Sequence, residues 1–188
     1  MTINHPHVLG IDDAPFDKWE DEEVPVVGVI MENATLVEGV AVTSFPVDGS
    51  DATGFFSQWI SDLRWEPMLN AVIFGGITIA GLGVIDIHAL AGQLRTPVIA
   101  VTRHDTAQHD LARALRSAGL SDRLPIIERS PPAREVEENL YVASAGADPE
   151  AVDDIVLATL NKARLPEPLR IAHLIGAAIV NGSSHGRV

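Results

Sequence analysis

The chain has 188 residues, 46% of them hydrophobic, which suits one well-buried core and is short for two. Its 13 basic and 26 acidic residues leave a net charge of −13, which argues against a broad phosphate-binding surface. The longest apolar stretch, Val72 to Ala91, is interrupted by Gly75, Gly76, Gly81, Gly83, Asp86 and His88, so no membrane span is predicted; with no basic, apolar leader and no cysteine, a cytoplasmic location is expected.

The first apolar run, His7 to Ile11, ends in Asp12-Asp13 and then Ala14-Pro15, a short buried strand with two acids at its tip. A charged loop follows over residues 17 to 23. Val24 to Met31 and Leu36 to Phe45, rich in Val and separated by Glu32-Asn33-Ala34, predict a hairpin joined onto the first strand. From Phe55 the apolar period changes: Phe56, Trp59, Ile60 and Leu63 make the stripe of an amphipathic helix. Leu69 to Phe74 is strand-like and closes on Gly75-Gly76. A Gly-rich passage to Gly83 leads to a helix predicted over Val84 to Leu94.

Pro97 to Thr102 predicts another buried strand. Asp105 to Gln108 has capping-box spacing, and Leu111, Ala114, Leu115 and Ala118 continue a helix ending near Gly119. Pro125 to Glu128 is predicted as a strand, Ser130 to Ala133 as a Pro-rich turn, and Leu140 to Ser144 as a strand. Asp148-Pro149 opens a helix with Val152, Ile155, Val156 and Leu160 as its buried stripe, and Pro168 opens a last helix to about Val180. The expected architecture is an α/β fold over residues 1–182: a central mixed sheet whose first three strands are antiparallel, with helices on both faces, and a flexible tail at 183–188.

Four segments carry a family resemblance. Gly10-Ile-Asp-Asp-Ala-Pro-Phe16, Val47-Asp-Gly-Ser-Asp-Ala-Thr53, Gly76-Ile-Thr-Ile-Ala-Gly-Leu-Gly-Val-Ile-Asp86 and Leu165-Pro-Glu-Pro-Leu-Arg-Ile-Ala-His173 resemble the archaeal endonuclease dU family, in family order and across nearly the whole chain. That family is a distant relative of endonuclease V, whose ending resembles Arg164 to Arg170, and the resemblance implies a ribonuclease H-like fold. Three departures stand out. Gly81-Leu82-Gly83 replaces the usual Gly-Phe-Asn, and Glu32-Asn33 stands where Arg-Gly is frequent. Gly75 occupies the place of a second metal-binding aspartate of endonuclease V.

The resemblance implies a Mg2+- or Mn2+-dependent endonuclease that cleaves DNA at a deaminated base such as deoxyuridine. Phosphodiester hydrolysis needs a divalent cation to offset transition-state charge and to make hydroxide, and carboxylates are its ligands. Asp12 is the principal expected ligand, with Asp48, Asp51 and Asp86 completing the set; Asp12, Asp51 and Asp86 are the candidate catalytic residues. Each has a structural alternative. Asp12-Asp13 can cap the turn before Pro15, Asp51 can cap the following helix, and Asp86 sits where a helix dipole already favours an acid. Asp13 should face away from Asp12, because strand side chains alternate.

Gly76, Gly81 and Gly83 are candidates for close approach to a substrate phosphate, although tight helix-on-sheet packing accounts for them as well. They complete neither a P-loop nor a dinucleotide fingerprint. Phe16, with Trp19, is the candidate stacking surface for an extruded base. Arg170 and His173 belong either to the substrate site or to a structural arginine–carboxylate pair. No His-x-x-x-His spacing predicts zinc, and no Gly-x-Ser-x-Gly elbow or cysteine predicts a covalent nucleophile. Repulsion of DNA by the acidic chain would nearly vanish at molar salt, where the Debye length is about 3 Å, so a salt-loving source would reconcile charge with substrate. The competing expectation is a non-catalytic relative that binds nucleic acid or protein through an eroded metal site.

Overall fold

A computed structural model of the protein describes residues 5–103 and 108–185. The opening strands pair as expected: β1 (His7–Asp13) is antiparallel to β2 (Glu23–Glu32), and β2 to β3 (Leu36–Pro46). The chain then crosses through α1 (Ala52–Ser61) to β4 (Ala71–Phe74), which lies parallel to β1 on its other side. A two-stranded hairpin, β5 (Thr78–Ile79) and β6 (Gly83–Val84), precedes α2 (Ile87–Leu94) and β7 (Val98–Thr102), again parallel to β4. After α3 (Gln108–Ser117) and α4 (Leu124–Arg129), β8 (Arg134–Glu137) and β9 (Leu140–Ala145) return antiparallel, and α5 (Pro149–Ala158) and α6 (Glu167–Asn181) finish the described chain. The large sheet has the order β3-β2-β1-β4-β7-β9-β8.

Side-chain alternation divides the core between the two faces. Leu9, Ile11, Val72, Phe74, Val98 and Ala100 pack with Phe56 and Ile60 of α1 and Leu90 and Leu94 of α2. Val8, Ala71, Ile73, Ile99 and Val101 pack on the opposite face with Val152, Ile155 and Val156 of α5 and Leu169 of α6. Val27, Val29 and Met31 extend that second face beneath Ala172, Ile171 and Ile175 of α6. The central strands are buried on both sides, which is why they read as continuous apolar runs.

Three expectations need correction. Pro125 to Glu128 is helical, because Pro125 occupies the first turn of α4, where its missing N–H costs nothing, and so short an apolar run has no period of its own. The helix predicted from Val84 begins at Ile87: Val84 belongs to β6, and Asp86, in extended conformation, is the N-cap. The last helix begins one residue earlier than predicted, with Pro166 at the cap and Pro168 inside the first turn. Strand β8 and the β5–β6 hairpin had no sequence signal above the surrounding loops. The capping box at Asp105 to Gln108 lies largely outside the described residues. Among those residues, no helix is long and apolar enough to cross a membrane.

Candidate active site

Asp12 sits at the carboxyl end of β1, on the face covered by α6. What brings α6 there is Gly10: a Cβ at that position would come within 2.5 Å of the Pro168 backbone carbon and 2.6 Å of the Leu169 nitrogen. Only a residue without a side chain lets the helix backbone settle this low on the strand. One turn further along α6, His173 Nδ1 lies 3.0 Å from Asp12 Oδ2. Asp13, one residue on, turns to the other face and accepts a hydrogen bond from the Ala80 amide at 2.7 Å. The two acids nevertheless meet at one opening, a cleft of about 480 Å³ bordered by both, Ala14, Pro15, Phe16 and His173.

Both carboxyls are hard to ionise. Burial, and next the charge of Asp13, raise Asp12 to about 6 against the opposing pull of His173. Burial likewise raises Asp13, although the Ala80 amide resists it. Asp12 is 22% exposed and His173 39%, so the dyad faces solvent from one side. Gly75 completes the edge: its ideal Cβ would stand 3.4 Å from Asp12 Oδ1. Beyond Gly75 opens a second, mainly apolar cavity of about 260 Å³, lined by Gly75, Gly76, Ile77, Thr78, Thr102 and Ser130 among others.

The other sequence candidates are held elsewhere. Asp51 is exposed, takes a left-handed backbone (φ 52°) and caps α1 by accepting from the Gly54 amide at 3.1 Å. Asp86 caps α2, accepting from His88 N (3.1 Å) and Ala89 N (3.0 Å), while Arg129 Nε donates to its other oxygen at 2.6 Å. Burial pushes the Asp86 carboxyl up, but the Ala89 amide, Arg129 and the His88 amide outweigh it and hold the group below the ordinary carboxylate range. Asp48 accepts from Leu82 N at 2.8 Å and pairs with Lys18 Nζ at 2.9 Å. The described carboxylates and imidazoles that do bring three ligand atoms within 4.8 Å of one another are His7, Glu32 and Glu38, so the four predicted aspartates do not assemble into such a group.

The glycines divide similarly. Gly81 (φ 91°) forms the β5–β6 turn, which is tied down by Asp13, Asp48 and Arg123, the last donating to Leu82 O and Asp48 O. Gly83 is buried with its Cβ direction blocked by Ile79 O at 2.7 Å and the Phe45 ring at 2.9 Å, so packing explains it. Gly76 lies on the wall of the cavity next to Gly75. Phe16 borders the acidic cleft, whereas Trp19 is 89% exposed in a turn. Arg170 forks onto buried Glu167, with contacts of 2.9, 3.0 and 2.6 Å; those hydrogen bonds hold its guanidinium more firmly charged than usual and occupy it structurally.

The sequence alone did not reveal the Asp12–His173 contact, because 161 residues separate the partners, nor the pairing of Asp86 with Arg129, which lies 43 residues further on, between the segment expected as a strand and the Pro-rich turn. Replacing Asp86 by Ala is expected to destabilise the protein by about 1–2 kcal/mol in urea unfolding at pH 7, through loss of the α2 cap, with Asn restoring most of it. Loss of cleavage in a stably folded Asp86→Asn variant would instead assign that carboxylate to the chemistry.

The fold defined by these elements is ribonuclease H-like, presenting a half-buried carboxylate–imidazole dyad at the tip of its first strand. It superposes on Ciona intestinalis endonuclease V, solved with a 24mer DNA containing an inosine followed by a ribo-adenosine, with a TM-score of 0.57 at 16% identity, covering 90% of this chain and 83% of that one. Endonuclease V from Streptomyces avermitilis gives 0.56 at 17% identity, covering 96% and 86%. The chain belongs to the Endonuclease dU family, which it matches over residues 4–180. A UPF0215 protein of Methanothermobacter thermautotrophicus is 35% identical over 95% of this chain and 90% of its own length. The crystal structure of a protein of unknown function from Archaeoglobus fulgidus is closer in shape than the endonucleases V, with a TM-score of 0.84 at 30% identity, covering 93% of this chain and 98% of that one.

Proposed function

We propose that the protein is a metal-dependent endonuclease that cuts DNA at deaminated bases, in a DNA repair role, with Asp12 as its central residue. The observation that carries this reading is the juxtaposition across Gly75: a half-buried carboxylate–histidine dyad on one side and a small apolar cavity on the other. A base extruded from the helix requires an apolar slot close to the reacting phosphate. Family membership and the endonuclease V likeness support the same chemistry.

The donor set fits a divalent ion. Two neighbouring, half-buried carboxyls share one imidazole, so the pair is short of counter-charge when both are ionised, and a hard cation needs only one or two carboxylates with water and phosphate oxygens. Asp12 would hold the ion, Mg2+ or Mn2+, which would supply Lewis-acid stabilisation of the phosphate. His173 fixes the orientation of the Asp12 carboxylate, and its ring, 39% exposed, reaches the cleft where the leaving oxygen can take up a proton. Phe16 borders the same opening and offers a stacking face.

Gly75 favours one second reading, a relative that binds nucleic acid without cutting it, since it leaves Asp12 without the partner carboxylate its endonuclease V counterpart has. Nicking of uracil-, inosine- and abasic-site duplexes with Mg2+ or Mn2+, across a KCl series reaching molar salt, separates the two. Cleavage that needs metal and Asp12 supports the nuclease; duplex binding without cleavage supports the second reading.

The missing acid gives a further expectation. Gly75 has no positive φ, and a Cβ there makes an ordinary contact, so Gly75→Asp should fold normally and place a second carboxylate beside Asp12. Mn2+ affinity by calorimetry is expected to rise about tenfold, the lower end of what changes around a metal site's ligands typically cost or gain. Unchanged affinity would place the ion elsewhere.

A further inference from the structure

At the amino end of β1, as far along the strand from Asp12 as it reaches, a second constellation forms. His7 and Glu32 are register partners on β1 and β2. Between β2 and β3 the pairing slips, Ile30 opposing Gly39 and Met31 opposing Val37, so that Glu38 is the extra residue of a bulge. Bulges re-aim side chains, and this one delivers Glu38 Oε2 to 2.6 Å from His7 Nδ1. His5 Nδ1 lies 3.1 Å from Glu32 Oε1. Asn70 clamps the strand end, accepting from His7 N at 2.8 Å and donating to His7 O at 2.8 Å.

We propose that His7, Glu32 and Glu38, with His5 as a fourth donor, bind a divalent transition-metal ion of the zinc class. One donor atom from each of the first three lies within 4.8 Å of the others. Tetrahedral zinc with bonds of roughly 2.1 Å separates its ligand atoms by about 3.4 Å, so small side-chain rotations close the set. Two carboxylates stand together there, 21% and 32% exposed, and among the described residues neither is paired with a lysine or arginine; their partners are histidines. A divalent ion would cancel both charges, and imidazole nitrogen selects zinc, cobalt or nickel over magnesium. Binding displaces any proton from the coordinating nitrogens and staples the start of β1 to the β2–β3 hairpin. This site is separate from the Asp12 cleft and does not depend on the proposed nuclease activity.

The test uses the full chain, stripped with chelator and titrated with Zn2+ or Co2+ alone. In Asp12→Asn, which removes the cleft as a competing divalent site, we still expect one ion bound per chain, a visible cobalt band of tetrahedral intensity, and a rise in Tm on adding zinc. In Glu38→Gln, a near-isosteric change, and separately in His7→Ala, affinity should fall by about tenfold or more and the zinc-dependent rise in Tm should vanish. An unchanged protein that binds no ion stoichiometrically, or a folded Glu38→Gln that binds as well as the original, overturns the proposal.

Discussion

Asp12→Asn is expected to abolish metal-dependent cleavage and, in the same molecule, to raise thermal stability at pH 8. The carboxyl is held near pH 6 in the folded protein against 3.8 ordinarily, chiefly by burial, so folding at pH 8 confines a charge that would rather be protonated. Two pH units correspond to about 3 kcal/mol at most; since the amide also forfeits some of the His173 interaction, a gain of about 2 kcal/mol, or roughly 4–8 °C in Tm, is the expected result. The sign follows from the direction of the shift. A raised carboxyl contributes stability that is complete below pH 3.8 and lost as pH rises through about 6, so the advantage of the variant should shrink on acidification and disappear below pH 4. Scanning calorimetry from pH 3 to pH 8 measures this. A variant that is destabilised at pH 8 would show that Asp12 is a structural acid, and the nuclease reading would lose its centre.

Gly10→Ala is expected to be among the most damaging single-methyl changes in the chain. The added carbon meets the backbone of Pro168 and Leu169, which cannot rotate aside, so α6 must lift from β1. Overpacking typically costs 1–3 kcal/mol, and a clash with main chain belongs at the upper end, about 3 kcal/mol in urea unfolding. Because α6 carries His173, the same displacement should separate it from Asp12 and lower cleavage more than the loss of folded protein explains. Gly92→Ala is the matched comparison: it lies within α2, has nothing within 4 Å of its Cβ direction, and should stabilise by about 0.5–1 kcal/mol. Equal, small effects of the two would mean that α6 is not held by close approach at Gly10.

The acidic chain bears on how either assay is run. With a net charge of −13, DNA association in dilute buffer is opposed over a long screening distance, so activity should be sought at high as well as low salt.

The amino-acid sequence by itself determined six of the seven strands of the large sheet and the burial of the central ones, but not β8. Runs such as Ala71–Phe74 and Val98–Thr102 have no polar face, which is possible only for strands covered on both sides, and the period of Phe56 and Ile60 marks α1 without ambiguity. It also placed Asp12 at a strand tip, since a buried run followed by Asp-Asp-Ala-Pro has no other end. Which acids come together was not legible, because convergence is a property of register and of helix docking. Asp51 and Asp86 looked like ligands and proved to cap helices, a role that short-range spacing shares with metal binding. His173 joined Asp12 only once Gly10 let α6 descend onto β1. His7, Glu32 and Glu38, which share no sequence spacing that predicts a metal, were gathered by an antiparallel pairing and a one-residue bulge. Local propensity operates over a few residues of chain, whereas donor atoms a few ångströms apart are set by contacts between segments, and only the tertiary structure decides those.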